Sequence, residues 1–358
     1  MATGGMALLL STQTQPHTFR GLQTIGKIVY IWDLFLFTIV TLCITYRFVR
    51  FPGTFTASLT HPTESLFATT PLLSLGSIIA AIARYGTPNC GPWLIVAYRV
   101  LFWTYFAISF AAAVGLYFLL FTSPALKLSD MTPAWDLPIF PFILCGTIAV
   151  AGAGLLGMLV SVLMYANYIH RMIQCGFPSS ASRAGMFIAV GPPSFTVLAL
   201  IGLANDFPAA YHNHVYFGGS EGAQVQVVLR TLATLSGVFI WALSLWFFCI
   251  SLLVCAAARR EMRFRLNWWA FVFPNVGFTI ATISIGKMFG SAAVGWVGSA
   301  MTGLLVVVYL AVGCAHARAV WRGEVLWEGK DEDTYWGERD HKTEKLAEKG
   351  GDMGQGRV

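Results

Sequence analysis

The stretch GMFIAVGPPSFTVLALIGLAN, Gly185 to Asn205, is apolar enough to cross a bilayer, yet it carries two consecutive prolines, Pro192 and Pro193, near its middle. Proline removes a backbone donor, and its ring collides with the carbonyl four residues back, costing about 3 kcal/mol in a helix interior. Two in succession are predicted to interrupt the helix over residues 190–193, leaving carbonyls unpaired and a half-helix that restarts at Ser194. In lipid such a break is tolerated only where it faces protein or a wet cavity, and the restarted half points its positive end there. The expectation is a membrane helix broken beside a cavity, with Ser194 and Thr196 as hydroxyl donors into it. The alternative is an ordinary proline kink for close packing.

Working outward, the whole chain has a membrane composition. Of 358 residues 56% are hydrophobic and 11% charged, with a mean hydropathy of +0.65, against about 25% charged in an ordinary soluble domain. Apolar spans of bilayer length are predicted near residues 26–47, 65–83, 93–121, 138–169, 184–204, 225–256, 268–287 and 292–316. The opening segment MATGGMALLLS is too short to span and lacks the basic start and cleavage site of a signal peptide, so it reads as the back half of a helix. The seven cysteines are scattered without a C-x-x-C pair and imply neither disulfides nor a metal site. No nucleophile-and-base set lies on one face of the spans, so an enzyme is not expected, nor a cofactor, nor a nucleic-acid partner.

Charge divides the chain at residue 317. The segment after it holds ten of the seventeen acidic residues and is predicted to be a solvated, mostly disordered cytoplasmic tail over 318–358, leaving 1–317 as the transmembrane domain. That body is about +8 and the tail about −2. A cationic body favours anions in any path through it. Most of its arginines mark topology: Arg47 and Arg50, Arg171 and Arg183, and the cluster Arg259, Arg260, Arg263 and Arg265 should all face the cytoplasm. Arg50 and Arg171 share a side only if an even number of helices separates them, and one helix over 138–169 makes the number odd. The run must therefore hold a hairpin, or about one helix is missing from it; its glycines mark where a break would fall, although halves of about sixteen residues are short for two spans.

Several motifs stay minor. Gly152, Gly154 and Gly157 form a G-x-G-x-x-G, but with no strand before it and no acid within reach after it, the pattern reads as a small-residue helix contact. His61 and Glu64 read as the start of a helix capped near Thr63 rather than as a proton relay. Arg99 and Lys287 lie in or at the ends of spans, where a charge is either functional or snorkelling. His212 and His214 lack an acidic or cysteine companion and read as loop. Trp268 and Trp269 suit an interfacial belt, and Phe273, one turn deeper and before Pro274, reads from the residues alone as a lipid or core contact, with closure of a narrow pore as the alternative.

The stretches GLQTIGKIVYIWDL, YRFVRFPGTFTASLTHPTESLF, MTPAWDLPIFPFIL, RAGMFIAVGPPSFTVLALIGLAN and NWWAFVFPNVGFTIAT closely resemble the tellurite-resistance/dicarboxylate transporter family, and within it the fungal malic acid transport proteins. The resemblance implies an all-α membrane protein of ten helices in five hairpins around a central pore, commonly a homotrimer. It also implies a pore lined by the odd-numbered helices. Carried onto this chain, the pore and substrate-binding residues are Thr3, Gly4, Gly5, Pro192, Pro193, Ser194 and Thr196, with Arg99 added as an intramembrane charge, and the gate is Phe273 with Pro274. Against that pattern helix one starts midway, and helices five and six look shortened or fused. The function expected is transport of malate and related C4-dicarboxylates with protons, in a multi-pass protein of the plasma membrane. Sulfite or inorganic anion efflux and a non-functional truncated product are the alternatives.

Overall fold

The computed structural model describes residues 1–61, 64–122, 128–149, 151–206 and 222–325. Thr63, His212, His214 and the tail beyond residue 325 therefore lie outside the described residues. Twelve α-helices run through the described chain: α1 Ala2–Leu9, α2 Leu22–Arg50, α3 Thr54–Thr60, α4 Glu64–Phe67, α5 Thr70–Ala81, α6 Trp93–Thr122, α7 Phe140–Ile148, α8 Ala151–Cys175, α9 Gly191–Asp206, α10 Gly222–Ala257, α11 Phe273–Phe289 and α12 Ala292–Trp321. Eight helical stretches are long and apolar enough to cross a membrane. Two further elements, α1 with eight residues and α7 with nine, are shorter than a bilayer is thick.

Ten of these helices pair into five hairpins: α1 with α2, α5 with α6, α7 with α8, α9 with α10 and α11 with α12. The first member of each hairpin packs on the first member of the next, α1 on α5, α5 on α7, α7 on α9, α9 on α11, and α11 back on α1, so five inner helices close a ring. Burial separates the two layers. The spans containing α9 and α11 are each 78% buried, whereas that of α2 is 6% and that of α12 is 22% buried, so the outer helices turn their apolar faces to lipid.

The run 138–169 is two helices. α7 ends at Ala149, whose φ of −157° and ψ of −23° leave the helical region, and α8 begins at Ala151. Arg171 at the end of α8 donates through Nε to the Ser129 carbonyl at 3.0 Å, so α8 returns to the side where the α6–α7 connection lies, as the arginine parity asks, although α7 itself is too short to cross a bilayer. Two of the three glycines act as the small-residue contact expected of them: Gly154 lies against Gly146 and Ala199, and a side chain at Gly157 would overlap Ile143, whereas Gly152 is exposed and a Cβ there would meet nothing.

Candidate functional site

The inner helices share one device. Proline stands in the first turn of α5 (Pro71), α7 (Pro141), α9 (Pro192, Pro193) and α11 (Pro274). In three of them a 3-10 segment leads in: Pro133–Asp136 before α7, Arg183–Val190 before α9 and Leu266–Phe271 before α11. Proline's fixed φ suits a first turn, where its missing N–H would have had no intrahelical partner anyway.

The expectation for residues 190–193 needs correction on this point. The helix restarts at Gly191, not at Ser194, and the carbonyls before it are not left unpaired. Ile188 accepts from the Gly191 N–H. Ala189 accepts from the Tyr165 hydroxyl at 3.0 Å, and Val190 from the Ser194 hydroxyl at 2.6 Å. Thr196 donates to the Pro192 carbonyl at 2.8 Å. Ser194 also meets Ser244 of α10, and Thr196 approaches the Gly154 carbonyl of α8. Both hydroxyls are fully buried against outer helices and occupied by backbone, so they are not donors into a cavity. The Gly191 N–H and the Tyr165 hydroxyl of α8 satisfy the two carbonyls that the prolines release, as an unpaired carbonyl in an apolar layer would cost several kcal/mol.

The other expected residues separate in space. Thr3 bonds Tyr309 of α12 at 3.2 Å. Gly4 faces Asp33 of α2 and Ser77 of α5, where a Cβ would lie 2.7 Å from the carboxylate and 2.9 Å from the serine. Gly5 faces the Phe273 ring. Arg99 is exposed on α6, an outer helix, which places it outside the inner ring and fits a snorkelling side chain. His61 accepts the Glu64 N–H at 3.4 Å, an end-capping contact.

Phe273 is only 2% exposed and is not alone. Its ring stacks on Phe195 of α9 at 5.3 Å between centroids and meets Phe140 of α7 at 5.8 Å, while Phe140 and Phe195 lie 5.5 Å apart edge to face. Because α9 stands between α7 and α11 in the ring, the Phe140–Phe273 contact reaches across to a non-adjacent helix. The three rings therefore fill the inside of the ring rather than a seam between neighbours. Each ring is seated on a glycine of another inner helix. A Cβ at Gly191 would overlap the Phe140 ring, one at Gly277 would lie 2.7 Å from the Phe195 ring, and one at Gly5 would lie 3.3 Å from Phe273.

Two carboxylates missing from the sequence-derived set stand close to this layer. Asp33, in the middle of α2, is 3% exposed, and its Oδ2 has no hydrogen-bond partner among the described residues. An acid in the middle of an apolar span was the signal that marked it. Asp136 ends the 3-10 segment before α7 with both oxygens buried and without a hydrogen bond among the described residues, near the Ser161 and Tyr165 hydroxyls. Burial pushes its carboxyl well above the usual carboxylate range. No sequence signal separated it from a loop acid. Among the described residues no cluster of three or more His, Cys, Asp or Glu side chains is arranged to hold a metal.

Comparison with known proteins bears directly on this arrangement. The family model described as voltage-dependent anion channel (SLAC1) matches residues 1–317. The chain is 35% identical over 356 residues to the malic acid transport protein of Schizosaccharomyces pombe, covering 94% of this chain and 80% of the relative. A putative malic acid transport protein of the same yeast is 33% identical, with 93% and 80% covered. A sulfite efflux pump of Arthroderma benhamiae is 28% identical over 317 residues, with 81% and 80% covered. With the match running the length of the membrane body, the chain belongs to the voltage-dependent anion channel family, whose members transport anions across membranes.

Proposed function

We propose that the protein carries malate and related C4-dicarboxylates, together with protons, along the axis of the five-helix ring, past a seal formed by Phe140, Phe195 and Phe273. The observation that carries the reading is the cross-ring contact of Phe140 with Phe273 in a body of about +8. A constriction of apolar rings blocks hydrated ions by dewetting, and the surrounding positive charge selects anions once it opens. The malic acid transport relatives support the choice of substrate. Asp33 and Asp136 supply buried carboxyl groups able to hold a proton beside that path. The plasma membrane is the proposed site, and a homotrimer the proposed assembly, with the apolar outer helices facing lipid and neighbouring copies.

Uptake of labelled malate into cells expressing the protein tests this. It should fall as external pH rises and be competed by succinate and fumarate. Competition by sulfite with none by dicarboxylates would transfer the reading to sulfite efflux, in line with the more distant relatives.

A further inference from the structure

The end of the ring opposite the prolines holds an arrangement that the aromatic seal does not use. Arg84 lies in the π-helical turn Ile82–Gly86 that continues α5, and Lys287 lies in the last turn of α11. Both helices flank α1, and the loop leaving α1 brings the two cations to one residue. The Arg84 guanidinium donates through Nη1 to Gln13 Oε1 at 2.8 Å. The Lys287 ammonium donates to the backbone carbonyls of Gln13 and Thr14, each at 2.8 Å. Gln13, Arg84 and Lys287 are all exposed, and neither cation has a carboxylate within ion-pair distance among the described residues.

Like charges repel, so a contact that served only to anchor this loop would be better made by one cation and one neutral donor. Donors also remain. An ammonium has three N–H groups, of which the contacts above use two, and a guanidinium has five, of which they use one. By the arginine count this end of the ring is the external face, since α1, α5 and α11 all begin on the side of the arginine loops.

We infer that Arg84 and Lys287, held together by Gln13, form an external capture site for a small dicarboxylate, with one carboxylate on the guanidinium fork and the other on the ammonium. The identity of the anion rests on the transport reading above; the site itself rests on the paired cations. A bidentate fork and a point charge side by side suit a ligand with two separated carboxylates better than one with a single carboxylate. Holding the anion at the mouth raises its local concentration before the seal opens.

The test separates the site from the transport reading. Thr87→Cys, exposed just beyond the turn that carries Arg84 and leaving Gln13 intact, is made in a chain whose exposed cysteines, Cys43, Cys90, Cys175, Cys249 and Cys314, are serine, and is modified from outside with anionic and cationic thiosulfonates. The anionic reagent should react at least about tenfold faster, as a focused positive field requires. Succinate should slow it and acetate at equal concentration should not. Adding Arg84→Gln and Lys287→Gln together should bring the two rates to about parity and abolish succinate protection. Equal rates with both cations present, a preference that survives the double substitution, protection by acetate equal to that by succinate, or no reaction with either reagent would each overturn the site. Succinate protection without malate uptake by the unsubstituted protein would leave the site standing and remove the transport reading. Malate uptake without protection would do the opposite.

Discussion

Two arcs of one ring are built on opposite principles. Along α7, α9 and α11 the interior is aromatic, and each ring lies on a glycine: Phe140 on Gly191 and Phe195 on Gly277. Along α1 and α5 the buried polar groups Thr3 and Ser77 stand beside Gly4 among apolar neighbours such as Met6 and Leu73, and Gly4 leaves room for the Asp33 carboxylate of α2. The first arc closes by packing, which is short-ranged and all-or-none; the second keeps groups that take a proton or a charge. Phe273 on Gly5 joins them, and this contact is the loosest of the three ring-on-glycine seats. A seal fixed on one side and yielding on the other needs only one ring to move.

That contrast breaks first at the glycines. Gly191→Ala places a methyl group inside the Phe140 ring, which Phe195 and Phe273 hold on its other side. Overpacking of this kind costs about 1–3 kcal/mol or more. Thermal melting of the purified protein should show the largest loss for Gly191→Ala, a smaller one for Gly277→Ala and the smallest for Gly5→Ala, with Phe140→Leu restoring Gly191→Ala. Equal losses at positions 191 and 5 would erase the distinction between the arcs.

The polar arc is tested by charge. Asp33→Asn should remove the pH dependence of malate uptake, measured as initial rate against external pH. Asp136→Asn should leave it in place, because burial raises the Asp136 carboxyl and so disfavours its charged form. A carboxyl whose folded value is raised contributes fully below the ordinary carboxylate range and loses that contribution as pH rises from there through the folded value, so Asp136→Asn should flatten a decline in stability that begins as pH rises out of the ordinary carboxylate range.

Smaller effects lie at the helix start. Tyr165→Phe strips the Ala189 carbonyl of its donor and should cost about 1–3 kcal/mol in melting experiments without changing flux per molecule. Pro192→Ala and Pro193→Ala restore N–H groups whose carbonyl targets are already occupied, and each should change stability by less than about 1 kcal/mol. A large gain in either proline variant would mean that the carbonyls are unsatisfied after all.

Much of this architecture was legible in the residues. Apolar run lengths located seven of the eight spans and fused the remaining one with α7, and the parity of the arginine loops called for either a missing helix or the break that occurs at Ala149. The prolines at 71, 141, 192 and 274 repeat the same start in four inner helices, a pattern that is plain once the four positions are aligned on the ring. Less legible was the direction of side chains around each helix. Ser194 and Thr196 face outer helices, with their hydroxyls on the Val190 and Pro192 carbonyls of the preceding turn, and Arg99 faces outward because its helix is in the outer layer. Phe140 and Phe195 could not be told from ordinary core phenylalanines, since their partners are glycines 51 and 82 positions away in the chain (191 − 140 and 277 − 195). Sequence spacing carries no record of such contacts.

The central claim is that three rings crossing the interior, rather than general packing, hold the path shut. Malate flux divided by surface protein, compared between the unsubstituted protein and Phe273→Ala, tests it most directly. Removing the ring opposite the loose Gly5 seat widens and wets the constriction while leaving the positive field intact, so flux per molecule should rise, and Phe140→Ala should raise it too. Truncating a merely structural phenylalanine leaves a cavity costing about 3–5 kcal/mol, which lowers the amount of folded protein and raises nothing. Per-molecule flux unchanged or reduced in Phe273→Ala would contradict the account.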